Sequence, residues 1–220
     1  MLLMLVLGVL LIAPYALAVP GGASVQGSAD DKGSYTSSPG SIDVYAGHVH
    51  LANVTGEQST YHWAGVYGNA TGTLVLGDGS SHKMFEWNAN AQVVFFSDAS
   101  LITWGSLAAA DPSNFDNDKS LTSASDSASK TFTNTGGTLA LYSLPDVTNT
   151  YYALTYDNTQ TGVWKTHLLT DGSAYIFAGE VNSGGTAYNG DTADYQVILY
   201  ENGEDNDANP TTYNIWIELY

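Results

Sequence analysis

Cysteine and arginine are absent from this chain of 220 residues, and lysine occurs only five times. Without cysteine there is no disulfide, thiolate metal site, c-type haem attachment or cysteine nucleophile. With 22 acidic residues and a formal net charge of −17, the chain has almost nothing with which to neutralise phosphates, which argues against nucleic-acid binding. An anionic membrane surface is disfavoured on the same ground. Catalytic signatures are missing too: there is no G-x-S-x-G elbow, no H-E-x-x-H, no phosphate-cradling loop and no dinucleotide fingerprint, so no enzymatic activity is expected.

What is present begins with hydrocarbon. Residues 2–17 are almost entirely apolar and end in Ala16-Leu17-Ala18, with small residues at alternate positions. That pattern is expected of a secretory signal peptide over 1–18, although no Lys or Arg forms a positive leading region. The run is short for a bilayer of ~30 Å and is interrupted by Pro14, so a retained membrane anchor is the weaker alternative. Residues 19–40 are dominated by Gly, Ser, Ala and Asp without apolar periodicity, and read as a flexible leader. Residues 41–220 are enough for a single domain that buries a core without staples.

From Ser41 the texture is that of an all-β, antiparallel fold, expected as an Ig-like or jelly-roll-like β-sandwich. Ile42, Val44 and Ala46, then Val49 and Leu51, alternate with a break near Gly47, predicting a strand with a bulge. Further strands are predicted over 60–67, 73–77, 83–87, 92–97, 138–144, 151–156, 162–169, 174–181 and 193–200. Asp78-Gly79 and Asp171-Gly172 mark two tight hairpins, each downstream of a tryptophan, Trp63 and Trp164. A faint internal duplication and a shared turn solution both explain that likeness. One short helix is expected over 101–110, ending near Asp111-Pro112, followed by a long loop over 111–136 anchored by Phe115 and Phe132. The closing strand places Ile215, Ile217 and Leu219 on one face, and pairs either in its own sheet or with another subunit.

Candidate sites follow from residue chemistry. Asn53-Val54-Thr55 and Asn69-Ala70-Thr71 are acceptor sequons for N-linked glycans. His48 and His50 stand two apart on one strand face, and with His62 from a neighbouring strand offer three imidazoles to Zn²⁺, Ni²⁺ or Cu²⁺; the plainer alternative is a polar strand face. Glu201, Glu204, Asp205 and Asp207, with interleaved asparagines, supply oxygen donors suited to Ca²⁺, or else form an ordinary solvated turn.

The segment Trp63-Ala64-Gly65-Val66-Tyr67-Gly68-Asn69-Ala70-Thr71-Gly72, together with residues 194–203 and 213–219, resembles a group of archaeal secreted cell-surface proteins. The resemblance implies an envelope location and a β fold, and brings no catalytic residue with it. Export, a flexible leader and apolar terminal strands together predict a structural subunit of an extracellular filament or envelope layer, a homopolymer joined by β-strand exchange or sheet-edge contacts. Ile42 and Val44, or Ile215, Ile217 and Leu219, are the expected assembly strands. The alternative from another class is a monomeric glycosylated surface protein that binds polysaccharide or a partner cell, using exposed tyrosines such as Tyr151 and Tyr152 as stacking platforms.

Overall fold

A computed structural model describes residues 19–25, 41–55, 59–78, 80–202 and 210–220. The expectations for the signal peptide, for most of the leader, and for Glu204, Asp205 and Asp207 lie outside them. Among the described residues, fourteen strands and two α-helices run in the order β1 (Gly21–Gly22), β2 (Trp63–Gly68), β3 (Gly72–Gly77), β4 (Lys83–Ala89), β5 (Ala91–Ser97), β6 (Ala108–Ala109), α1 (Pro112–Asp118) and α2 (Ala128–Thr131). They continue as β7 (Asn134–Leu139), β8 (Val147–Tyr156), β9 (Gly162–Thr170), β10 (Tyr175–Glu180), β11 (Gly185–Thr186), β12 (Thr192–Ala193), β13 (Tyr195–Tyr200) and β14 (Asn214–Leu219). Every pairing is antiparallel.

The main sheet has the order β1-β14-β5-β10-β9-β8-β7, with β6 pairing β9. Its centre is buried on both faces, which is why β5 reads Val93-Val94-Phe95-Phe96 rather than alternating with polar residues. Val94, Phe96, Leu168 and Phe177 pack on one side with Val197, Leu199 and Tyr200 of β13 and with Phe115, Leu121, Ala128 and Phe132 of the α1–α2 region. Val93, Phe95, Leu169, Ile176 and Ala178 pack on the other under Leu139, Leu141, Leu144 and Val147, flanked by Trp104 and Trp216. The antiparallel all-β class is therefore the observed one. A complete second sheet does not form among the described residues, where the layer over the first face is the two-stranded β13–β2 ribbon and the two helices.

Several expectations change: the strand predicted over 138–144 begins earlier and ends at Leu139 in β7, and three other stretches differ. Residues 41–51 carry alternating apolar side chains, yet form no strand and stand in solvent, with only a turn at Ala46-Gly47. Alternation reports a face available for burial; it does not supply the strand that would bury it. The expected helix over 101–110 is instead one 3₁₀ turn at Trp104–Ser106 followed by β6. Asp111-Pro112 starts a helix rather than ending one: the extended Asp111 caps α1 by accepting from the Ser113 N–H at 2.8 Å, and Pro112 occupies the first helical turn, where its missing donor costs nothing. Consequently 111–136 is not one long loop. Asp116 on α1 caps α2, accepting from the N–H groups of Ala128 at 2.6 Å and Ser129 at 3.0 Å, while Phe115 and Phe132 are the buried anchors the sequence suggested.

Candidate functional site

Two stretches expose large apolar side chains outside the packed body of the domain. The first is the arm at 41–55, where Ile42, Val44, Tyr45, Val49, Leu51 and Val54 are all exposed. The second is the β3–β4 hairpin, a separate two-stranded sheet paired Leu74↔Trp87, Val75↔Glu86 and Leu76↔Phe85. Its alternation puts Leu74, Leu76, Phe85 and Trp87 on one face, with the Phe85 and Trp87 rings 4.8 Å apart, and Val75 and Met84 on the other. All six are exposed, Met84 by 82%. A lone two-stranded ribbon is marginal in water, so this one depends on its ends.

At the base, Asn90 separates β4 from β5 and exchanges backbone hydrogen bonds with Tyr220 at 3.0 Å in both directions. Leu219 fills the space above Gly72, where an added Cβ would meet its methyl groups at 2.4–2.5 Å, so only glycine allows β14 to abut β3 so closely. At the tip, Asp78 accepts from the N–H groups of Ser80 and His82 and contacts the His82 ring at 2.9 Å. The His82 ring, then the His82 and Ser80 N–H groups, hold the Asp78 carboxyl below its usual range.

The stretch Thr60 to Trp63, which leads into β2, is anchored through a residue the sequence did not single out. Asp126, in the turn before α2, contacts His62 Nδ1 at 2.8 Å, accepts from the Thr60 hydroxyl, and receives the Trp63 indole N–H on its backbone carbonyl. Burial opposes the charge on Asp126, but the Thr60 hydroxyl and the His62 ring outweigh it and hold the carboxyl below its ordinary range. Trp63 then packs against Phe115, Phe132, Phe177 and Tyr200. No local motif marks Asp126, because its partners lie more than sixty residues away in sequence.

The other predicted residues fall as follows. His48 and His50 stack in the exposed arm with ring centroids 6.1 Å apart, while His62 is engaged by Asp126. Among the described residues, no three His, Cys, Asp or Glu side chains converge as metal ligands. Glu201 donates its backbone N–H to the His62 carbonyl at 2.7 Å, extending the β13–β2 pairing. Asn53 and Asn69 are both exposed, so both sequons are accessible. Ile215 and Ile217 pack into the first core cluster, and β14 is already paired on both sides, by β5 and by β1 from the leader. That strand belongs to its own sheet. Among the described residues no helix is long and apolar enough to cross a membrane.

A polar chain on β8–β10 also went unpredicted. Thr150 Oγ1 lies 2.8 Å from His167 Nδ1, and His167 Nε2 lies 2.8 Å from Glu180 Oε1, with Lys165 3.2 Å from the same carboxylate. Burial opposes the charge on Glu180, and the His167 ring followed by Lys165 overcomes it, leaving the carboxyl below its usual range. A hydroxyl, an imidazole and a carboxylate in line can activate a nucleophile. Here Thr150 and His167 are both fully buried, and Gly137 of β7 lies over the hydroxyl so closely that a Cβ there would stand 2.7 Å from it. With the hydroxyl buried, the chain cross-links three strands, β8, β9 and β10.

Comparison with protein-family models, curated proteins and solved structures finds no match to this chain.

Proposed function

We propose that this protein is a structural subunit of an extracellular filament or cell-envelope layer, assembling through β-strand exchange or sheet-edge contacts. The observation that carries this is the arm: six large apolar or aromatic side chains within 41–55 stand in water without a strand partner. Contiguous apolar surface of that kind marks an interaction site, and unpaired alternating backbone is suited to extending another sheet. Because β14 is used in its own sheet, the exchanged strand is drawn from Ile42 and Val44 onward. Asn53 follows the 42–51 stretch and Asn69 lies beyond the arm, so glycans at either would leave the exchanged strand itself unmodified. The net charge of −17 opposes packing of copies, so a divalent cation such as Ca²⁺ would favour assembly by screening.

Electron microscopy of the full chain as secreted, with and without a chelator, tests this directly. Ordered filaments or lattices are expected, and deletion of 42–51 is expected to abolish them while the monomer keeps its cooperative thermal transition. Dispersed particles under all conditions would overturn the assembly role, and glycan capture by that monomer would then favour a binding protein.

A further inference from the structure

We propose that the β3–β4 ribbon is the acceptor in this assembly, and that its occupant is residues 42–51 of a second copy of the chain, laid as a third strand along a ribbon edge. This rests on the assembly role proposed above and adds the partner surface to it. Both ribbon edges lack a strand partner among the described residues. Arm and ribbon together hold twelve of the twenty-two large hydrophobic side chains exposed among those residues. Among the described residues, arm and ribbon of one copy are not paired with each other, so each keeps its backbone groups open to a second copy.

Charge selects the same pair of surfaces. Across 41–55 and 72–89 the acids are only Asp43, Asp78 and Glu86, set against Lys83, so these stretches carry a net −2 of the chain's −17. Copies of so acidic a protein repel one another least where these segments meet. Three of the five histidines, His48, His50 and His82, lie in the same stretches and bring no fixed negative charge. The ribbon is also preorganised: Leu219 over Gly72 sets its base and Asp78 braces its tip, so little ordering remains to be done when a strand arrives. A third strand would convert a marginal hairpin into a three-stranded sheet, its own side chains lying beside Leu74 and Leu76 or beside Phe85 and Trp87, according to the edge used.

The natural absence of cysteine allows a background-free test. Full-length chains carrying only V44C are mixed with chains carrying only V75C or only M84C, allowed to assemble, and oxidised. All three positions are exposed, so the folded monomer tolerates them. A mixed disulfide dimer is expected with V75C or M84C, according to the edge used, and its loss is expected when V44C is mixed with the distant exposed position L154C or when 42–51 is deleted from the chain that would supply the thiol. If polymers form but the ribbon positions cross-link no better than L154C, the acceptor lies elsewhere, such as the outer edge of β2, and this inference fails while the assembly role stands. If disulfide forms only within one chain carrying both V44C and M84C, the arm folds back on its own ribbon and the inference fails. If the unmodified chain yields no polymers, both fall.

Discussion

The two Asp-Gly hairpins are alike in sequence and opposite in fate. At the β9–β10 turn, Asp171 accepts from the N–H groups of Ser173 and Ala174, the Ser173 hydroxyl and, across the chain, the Thr103 N–H. Gly172 there takes φ +94°, which the turn requires. Its strands lie mid-sheet, with Leu168 and Phe177 facing one core cluster and Leu169 and Ile176 the other. At the β3–β4 turn, Asp78 likewise accepts from the N–H two residues on, Ser80, and also from that of His82, yet its strands leave the main sheet and their apolar residues stay in water. Turn chemistry thus sets the hairpin, and its surroundings decide its fate: in β9–β10 both faces lie against packed layers and the edges are paired. In β9–β10 the neighbours are β5, β6 and β8 of the same chain; in β3–β4 we assign the missing neighbour to another copy.

The contrast is sharpest in side-chain truncation. Phe177 is 2% exposed and packed against Trp63, Phe115, Phe132 and Tyr213, so F177A is expected to cost about 4 kcal/mol in chemical denaturation of the monomer. The equivalent F85A on the ribbon is expected to change monomer stability by no more than about 0.5 kcal/mol while weakening assembly, because Phe85 is 56% exposed in a single copy. A large monomer destabilisation by F85A would show that the ribbon is part of the monomer's core and would break the comparison.

The turn aspartates give the next effect. D171A removes four hydrogen bonds from a buried carboxylate, and about 3 kcal/mol is expected, against a much smaller effect for the exposed D78A. Acid sharpens this further. Burial works against the charge on Asp171, but the N–H groups of Thr103, Ser173 and Ala174 overcome it and hold the pKa at about 2, below the ordinary 3.8. The folded value is the depressed one, so this carboxylate contributes stability that is fully present above the unfolded pKa and is lost as pH falls from 3.8 toward 2. D171N should flatten that limb of a stability-versus-pH curve measured by circular dichroism.

Much of the body was legible because its strands state their own burial. The run at 92–97, the alternation at 214–219 and the Asp171-Gly172 turn each carry a local signal, and each forms where expected. The helices were misplaced for a specific reason: Asp111-Pro112 serves equally as a helix stop or as an N-cap with proline in the first turn, and only the burial of Phe115 against Phe177 and Tyr200 decides between them. Ile42, Val44, Val49 and Leu51 carried the alternation of a strand without revealing that no strand forms there in the single chain. The Asp126 anchor and the Thr150–His167–Glu180 chain were illegible because each joins residues distant in sequence through geometry that no spacing records.

Amide hydrogen exchange on the monomer and on assembled material, followed at 42–51, β3–β4 and β9–β10, tests the central claim most directly. Strong protection is predicted to appear in 42–51 and β3–β4 on assembly, while β9–β10, protected from the start, stays unchanged. Assembled material in which the arm and the ribbon exchange as fast as in the monomer would contradict the account.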